Sequence, residues 1–205
     1  MDGWQALADG HGIVSASAAQ SAGLTTRELR LLVRSEALMR LDRGWYALAD
    51  VLGGPADSPW DRRRRLHALR ARAVIRAYEG RVAASHHTAL VLCDLPTFAA
   101  DLRQVHVTRV DDGQFRRRPG LTVHEQTHGA TPSDGRVGVA TAIMGTGRIN
   151  GQMAGLIAAD AALHRQLVTH DDLVAAARSL VGPASALARR VALLADGRAE
   201  SPGET

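Results

Sequence analysis

Residues 10–48, GHGIVSASAAQSAGLTTRELRLLVRSEALMRLDRGWYAL, decide the fold of the N-terminal part of this chain. A short helix over Trp4 to Asp9 precedes them, and the small apolar run Ile13-Val14 follows Gly12. Ser15 is placed to cap a second short helix, which Gly23 ends as a residue able to adopt positive φ. Thr25 with Glu28 three positions on is a capping box, and Leu24 and Leu29 stand at the two positions of a hydrophobic staple. A third helix therefore starts at Thr25. On it Leu29, Leu32 and Val33 share one face, while Arg27, Arg30 and Arg34 project from the opposite one. Residues 38–48 are two apolar runs around a glycine-containing turn, a β-hairpin. Helix, turn, helix, hairpin is the order of a winged helix-turn-helix. A B-form major groove admits one α-helix, whose first turn meets the base edges. Thr25, Thr26, Arg27 and Arg30 occupy that turn, Arg34 lies further along, and Arg40 and Arg43 of the hairpin are placed for phosphates or the minor groove.

Beyond residue 50 the pattern changes. Asp50 to Asp57, with Gly53, Gly54 and Pro55, reads as a linker. Ser58 as N-cap and Pro59 at the first helical position open a long helix to about Glu79, closed by Gly80. Ser85-His86-His87 begins a short helix through Cys93. Alternation over 104–109 and 121–125 predicts two strands separated by the basic loop DDGQFRRRPG, and 137–145 fits a third strand or the start of a buried helix. Helices are predicted near 153–164, 170–181 and 183–195, then a polar, disordered tail. The expected class is α+β: a winged helix-turn-helix over 1–56, a mixed α/β domain with a small sheet and C-terminal helices over 57–197, and a tail over 198–205.

Composition bounds the chemistry. The 205 residues are 45% apolar with seven aromatics (three Trp, two Tyr, two Phe), as expected of a soluble protein of one or two domains. The N-terminus has no cationic flank followed by an apolar stretch, so a cytoplasmic protein without a membrane segment is expected. A single cysteine, Cys93, excludes an intrachain disulfide and any multi-cysteine metal site. All 25 cations are Arg, which removes the phosphate loop ending in GK[ST], Schiff-base chemistry, the kinase lysine and a D/E-x-K nuclease site. Guanidinium favours forked contacts to phosphate and guanine. The positive charge is concentrated in the middle: residues 61–120 hold 13 Arg against 6 acids, including Arg62, Arg63, Arg64, Arg65 and Arg116, Arg117, Arg118. Such runs are either solvated faces or a nucleic-acid footprint. The scarcity of aromatics argues against a stacking platform for single strands.

Three motifs resist a catalytic reading. His124-Glu125-Gln126-Thr127-His128 matches H-E-x-x-H, but that zinc site needs a helix, and Pro119 to Val123 reads as strand; four strand residues span about 13 Å, too far for two imidazoles on one ion. His86 and His87, even with His106 and Cys93, form no evident ligand set, because adjacent helical side chains point about 100° apart. A capping or hydrogen-bonding role is preferred for them, and neither a metal nor a cofactor is expected. Gly145-Thr146-Gly147-Arg148-Ile149-Asn150-Gly151 is one residue too long for a dinucleotide fingerprint and reads as a loop.

Taken in order, residues 10–48, ASHHTALVLCDLP (84–96), VHVTR (105–109), LTVHEQ (121–126) and LIAADAALHRQLVTHDDLVAA (156–176) resemble the AbiEi-like antitoxins, the regulators of type IV abortive-infection toxin-antitoxin systems. The resemblance spans roughly residues 8–204. It implies a DNA-binding regulator that represses its own operon and opposes a nucleotidyltransferase-like toxin, commonly without a stable complex. The family's DNA-reading positions fall on Thr25-Thr26-Arg27 and on the wing around Arg40 to Tyr46, and its second domain adds basic surface that would employ the central arginines. LADGRAESPGET (194–205) resembles the junction where relatives continue into a very-short-patch-repair-like endonuclease domain. Glu204 would match that nuclease's first acid, but no D/E-x-K strands follow it, so no nuclease activity is expected. Double-stranded DNA is the expected partner. A module that docks directly on a toxin, or an inactive remnant of an endonuclease fusion, are the alternatives; the operator and the oligomeric state are not legible in the sequence.

Overall fold

The computed structural model describes residues 3–54, 56–126, 132–180 and 185–198. They form two compact units, divided between Ala77 and Tyr78.

The first unit begins with a single 3₁₀ turn, Gln5–Leu7, in place of the longer helix predicted over 4–9. The Asp9 carboxylate explains the early stop. It accepts the backbone N–H groups of His11 (2.7 Å) and Ile13 (2.9 Å), an Asx-type turn that draws the chain out of helix. Strand β1 (Ile13–Ser15) follows, then helices α1 (Ala16–Ser21) and α2 (Thr26–Arg34), and the hairpin strands β2 (Leu38–Asp42) and β3 (Trp45–Leu48). The expected caps are present. Ser15 Oγ accepts the Ala18 N–H at 3.0 Å, and Gly23 sits at φ +91°. The strands form an antiparallel sheet in the order β1-β3-β2, with Val14 opposite Tyr46 and Arg40 opposite Tyr46 on its other side. This is the winged helix-turn-helix arrangement.

Both faces of this small sheet are apolar and both are covered. Val14, Leu38, Tyr46 and Leu48 pack with Ala19 of α1 and with Leu29, Leu32 and Val33 of α2. Ile13, Met39, Leu41, Trp45 and Ala47 face the other way, against Leu66, Leu69 and Ala73 of helix α3 (Pro59–Ala77). The helix after the expected linker thus packs on the winged sheet. An ion pair between Arg76 and Asp9 joins its end to the N-terminal turn.

The second unit holds a four-stranded sheet of β4 (Val82–Ala84), β5 (Val105–Arg109), β6 (Arg116–Arg118) and β7 (Leu121–His124), in the order β4-β5-β7-β6. Only β5 and β7 run parallel. The helices are α4 (His86–Leu92), α5 (Val139–Asn150), α6 (Gln152–His164), α7 (His170–Ser179) and α8 (Ser185–Leu194). Two expectations are corrected here. Arg116 to Arg118, read as loop, form an edge strand that returns through Pro119-Gly120 to pair with β7; three consecutive arginines carry no alternation to announce it. The glycine-rich segment 145–151, also read as loop, is mostly helix: α5 continues to Asn150. Gly147 and Gly155 bring α5 and α6 close together: a Cβ on Gly155 would stand 2.9 Å from the Gly147 Cα. The segment 137–145 resolves as the start of that buried helix. The tail beyond Arg198, with Glu204, lies outside the described residues, as does His128 of the H-E-x-x-H match.

Leu38 joins the sheet to the two helices and is 2% exposed, whereas Leu31 on the outer side of α2 is 47% exposed. Leu38→Ala is expected to destabilise the first unit by about 2–5 kcal/mol and Leu31→Ala by less than about 0.5 kcal/mol, read by urea denaturation.

Candidate functional site

The face of α2 turned away from the sheet is assembled by elementary helix geometry. With Leu29, Leu32 and Val33 committed to the core, residues advancing by about 100° place Arg27, Leu31 and Arg34 on the opposite side and Arg30 at its margin. All four are exposed. The result is a cationic stripe with one leucine in its centre. Leu31 was not singled out from the sequence. Its signal is an apolar residue at i+4 from Arg27 and i−3 from Arg34, inside the cationic face rather than the core face.

The start of α2 is held internally. The Thr25 backbone N–H and hydroxyl both donate to Glu28 Oε2 at 2.7 Å, and the Glu28 N–H donates to Thr25 Oγ1 at 3.2 Å. These bonds, the backbone one foremost, hold the Glu28 carboxyl below the usual carboxylate range. Thr25 is therefore engaged as the cap. Thr26 is exposed beside it, with the Gln20 side-chain amide 3.5 Å from its hydroxyl.

The wing is short. Arg43 and Gly44 make its turn, Gly44 at φ +74°, and the Gly44 carbonyl accepts the Ala16 N–H at 2.8 Å, which ties the tip to the start of α1. Arg40 and Tyr46 are cross-strand partners on the sheet face that carries α2. Arg27, Arg30, Arg34, Arg40 and Tyr46 thus belong to one side of the unit, with Arg43 at the tip. Arg62, Arg63 and Arg64 do not join them, because α3 covers the opposite face of the sheet. Neighbouring Arg65 forms a forked ion pair with Asp57 (2.7 and 3.1 Å) and also donates to the Leu52 carbonyl at 3.1 Å. That guanidinium keeps the Asp57 carboxyl below its ordinary range. Arg116, Arg117 and Arg118 belong to the second unit, exposed on edge strand β6.

The second unit gathers a group of histidines that local spacing does not reveal. His106 on β5 and His124 on β7 meet with His106 Nδ1 2.9 Å from His124 Nε2. The His86 ring stacks on that of His124, centroids 4.1 Å apart, and His87 lies 4.7 Å from His106. Burial above all, then the other imidazoles and Arg148, holds His86 well below the usual imidazole range. Burial followed by Arg148 brings His124 down to about 4. Burial also lowers His87, partly offset by its bond to the Gln104 carbonyl. The H-E-x-x-H match has no helical frame, since His124 ends a strand and Glu125 and Gln126 are irregular.

Comparison with known proteins bears on the first unit. Residues 5–49 match the family described as transcriptional regulator, AbiEi antitoxin. The match runs from the 3₁₀ turn to just past β3, and so falls on the winged segment. No curated protein matches the chain. Among the described residues no helix is long and apolar enough to cross a membrane.

The contrast between the α3 arginines is open to a direct check. Arg65→Ala is expected to increase limited-proteolysis cleavage within residues 49–58 several-fold, because it releases both Asp57 and the Leu52 carbonyl, whereas Arg62→Ala leaves the cleavage rate unchanged.

Proposed function

We propose that this chain is a sequence-specific repressor of double-stranded DNA, acting in the cytoplasm as the antitoxin that autoregulates a toxin-antitoxin operon, and that it is not an enzyme. One observation carries the reading. A capped α-helix buries one face on a winged sheet and leaves Arg27, Arg30, Leu31 and Arg34 exposed together on the other. Such a helix is about 10–12 Å across with its side chains, and the B-form major groove is about 12 Å wide. Arg27 and Arg30 are assigned to base edges, where a guanidinium forks onto guanine, and Leu31 to a thymine methyl. Thr26, Arg34, Arg40, Arg43 and Tyr46 are assigned to sugar and phosphate. Thr25 acts through the cap. Arg62 to Arg64 and Arg116 to Arg118 contribute long-range attraction and contacts outside the recognition helix. The match to AbiEi antitoxin regulators supports a toxin in the same system; that this toxin is nucleotidyltransferase-like and is opposed mainly through control of expression is part of the proposal.

The decisive measurement is binding to DNA from upstream of the chain's own operon, by fluorescence anisotropy across a salt series. Neutralising four or five phosphates gives a slope of log K against log salt of about −4, and a flat dependence overturns the assignment. Arg30→Ala is expected to cost about 1–3 kcal/mol on the operator and less on random DNA. Equal losses on both would move Arg30 from base to phosphate. Co-purification of a toxin at high salt, without operator binding, would make the module a protein-docking one.

A further inference from the structure

The histidine group has the composition and placement of a ligand site. One ring nitrogen from each of His86, His106 and His124 lies within 4.8 Å of the other two, and among the described residues no other group of three histidines, cysteines or carboxylates does this. Three separate elements deliver them. The parallel register sets His106 opposite Thr122 and Thr108 opposite His124, so the two histidines are diagonal neighbours on one face, with Val105, Val107, Leu121 and Val123 on the other. His86 arrives from the first residue of α4 with its backbone at φ +51°, a left-handed conformation that L side chains rarely adopt and that clusters at functional sites. Gly145 of α5 makes room for its ring: a Cβ there would stand 2.9 Å from the imidazole Cδ2. Ser85 Oγ lies 3.0 Å from His86 Nδ1, the outer partner that fixes a ligand histidine's tautomer and orientation.

We propose that His86, His106 and His124 form a three-histidine site for one divalent transition-metal ion of the zinc type. Tetrahedral zinc with bonds of about 2.0–2.1 Å sets nitrogens about 3.3–3.4 Å apart. The 2.9 Å pair opens slightly and the wider separations close, through small rotations of the rings. Three neutral imidazoles suit zinc, copper, nickel or iron better than calcium or magnesium. The fourth position is exchangeable, because His86 and His124 line a cleft of about 420 Å³ together with Phe115, Glu125, Thr141 and Arg148. Among the described residues Arg148 is the one cation on that wall, and it favours an anionic fourth ligand such as hydroxide, carboxylate or phosphate. Such an open site is unlike a closed structural zinc, which has four protein ligands.

The test uses the whole chain, stripped with chelator and titrated with Co(II) and then Zn(II) at neutral pH. One ion per chain is expected, with the visible absorption of four-coordinate cobalt that zinc displaces. His106→Gln should weaken binding at least about a hundredfold and Ser85→Ala about tenfold, whereas His170→Gln, at an exposed position on α7, should leave it unchanged. The absence of a four-coordinate cobalt spectrum, wild-type affinity in His106→Gln, or an equal loss in His170→Gln would overturn the site. If His106→Gln does not fold, X-ray absorption on the wild-type zinc protein decides: three imidazoles per ion support the proposal, and fewer refute it.

Discussion

Ile13 and Val14 are adjacent and point to opposite sides of a three-stranded sheet, and both are buried. A sheet this small has no inside of its own, so each face needs a cover. Helices α1 and α2 cover one side and α3 the other. The apolar area removed from water on both sides stabilises the unit, at roughly 25 cal/mol per Å². It also fixes how α2 rolls. Once Leu29, Leu32 and Val33 are seated, the cationic stripe has only one direction to face. Rigidity at the sheet is therefore the condition for presenting side chains to a groove without reorganising them on binding.

The covered second face has a consequence for charge. A winged helix whose sheet were bare on that side could wrap its outer surface toward DNA, but here α3 occupies it and carries four successive arginines. Arg65 is drawn into a forked contact with Asp57 that clamps the segment leading into the helix. Arg62 and Arg63 remain exposed on a side that α2 does not share. An arginine run is thus three things at once: a clamp, a solvated helix surface and a source of long-range field. Its clustering in sequence does not imply a single contact surface.

What was legible in the sequence follows the range of the forces involved. The capping box at Thr25, the glycine stop at position 23 and the Ser15 cap are satisfied within a few residues, and each appears as predicted. The alternation of Val105 and Val107, and of Leu121 and Val123, likewise announced strands, because the pleat writes burial into every second residue. The strand of three arginines was invisible, since its pairing depends on the hairpin turn and on β7, not on its own pattern. Gly145 and Gly147 looked like loop residues because propensity penalises glycine in helices by about 1 kcal/mol per residue; in the folded chain Gly145 faces the His86 ring and Gly147 faces Gly155 of α6. For the exposed face of α2, the arginines were legible from the 3.6-residue period. Leu31 was not, because an exposed leucine becomes meaningful only when its charged neighbours are known to point the same way.

The histidines show how a local motif can misdirect. Helical spacing is the requirement behind H-E-x-x-H, and a strand cannot meet it. Yet failure of that requirement removes only the partner at i+4; it leaves His124 on a sheet face, where the neighbours are set by register and not by spacing. In a parallel pair those neighbours come from a strand reached through a long connection. In this chain that strand offers His106, eighteen residues earlier, and the adjacent strand β4 leads directly into the helix that begins with His86. Ligand sets built this way have no sequence signature, because the distances along the chain are those of the fold's connections. The left-handed backbone at His86 and the glycine that receives its ring are the local costs of that convergence.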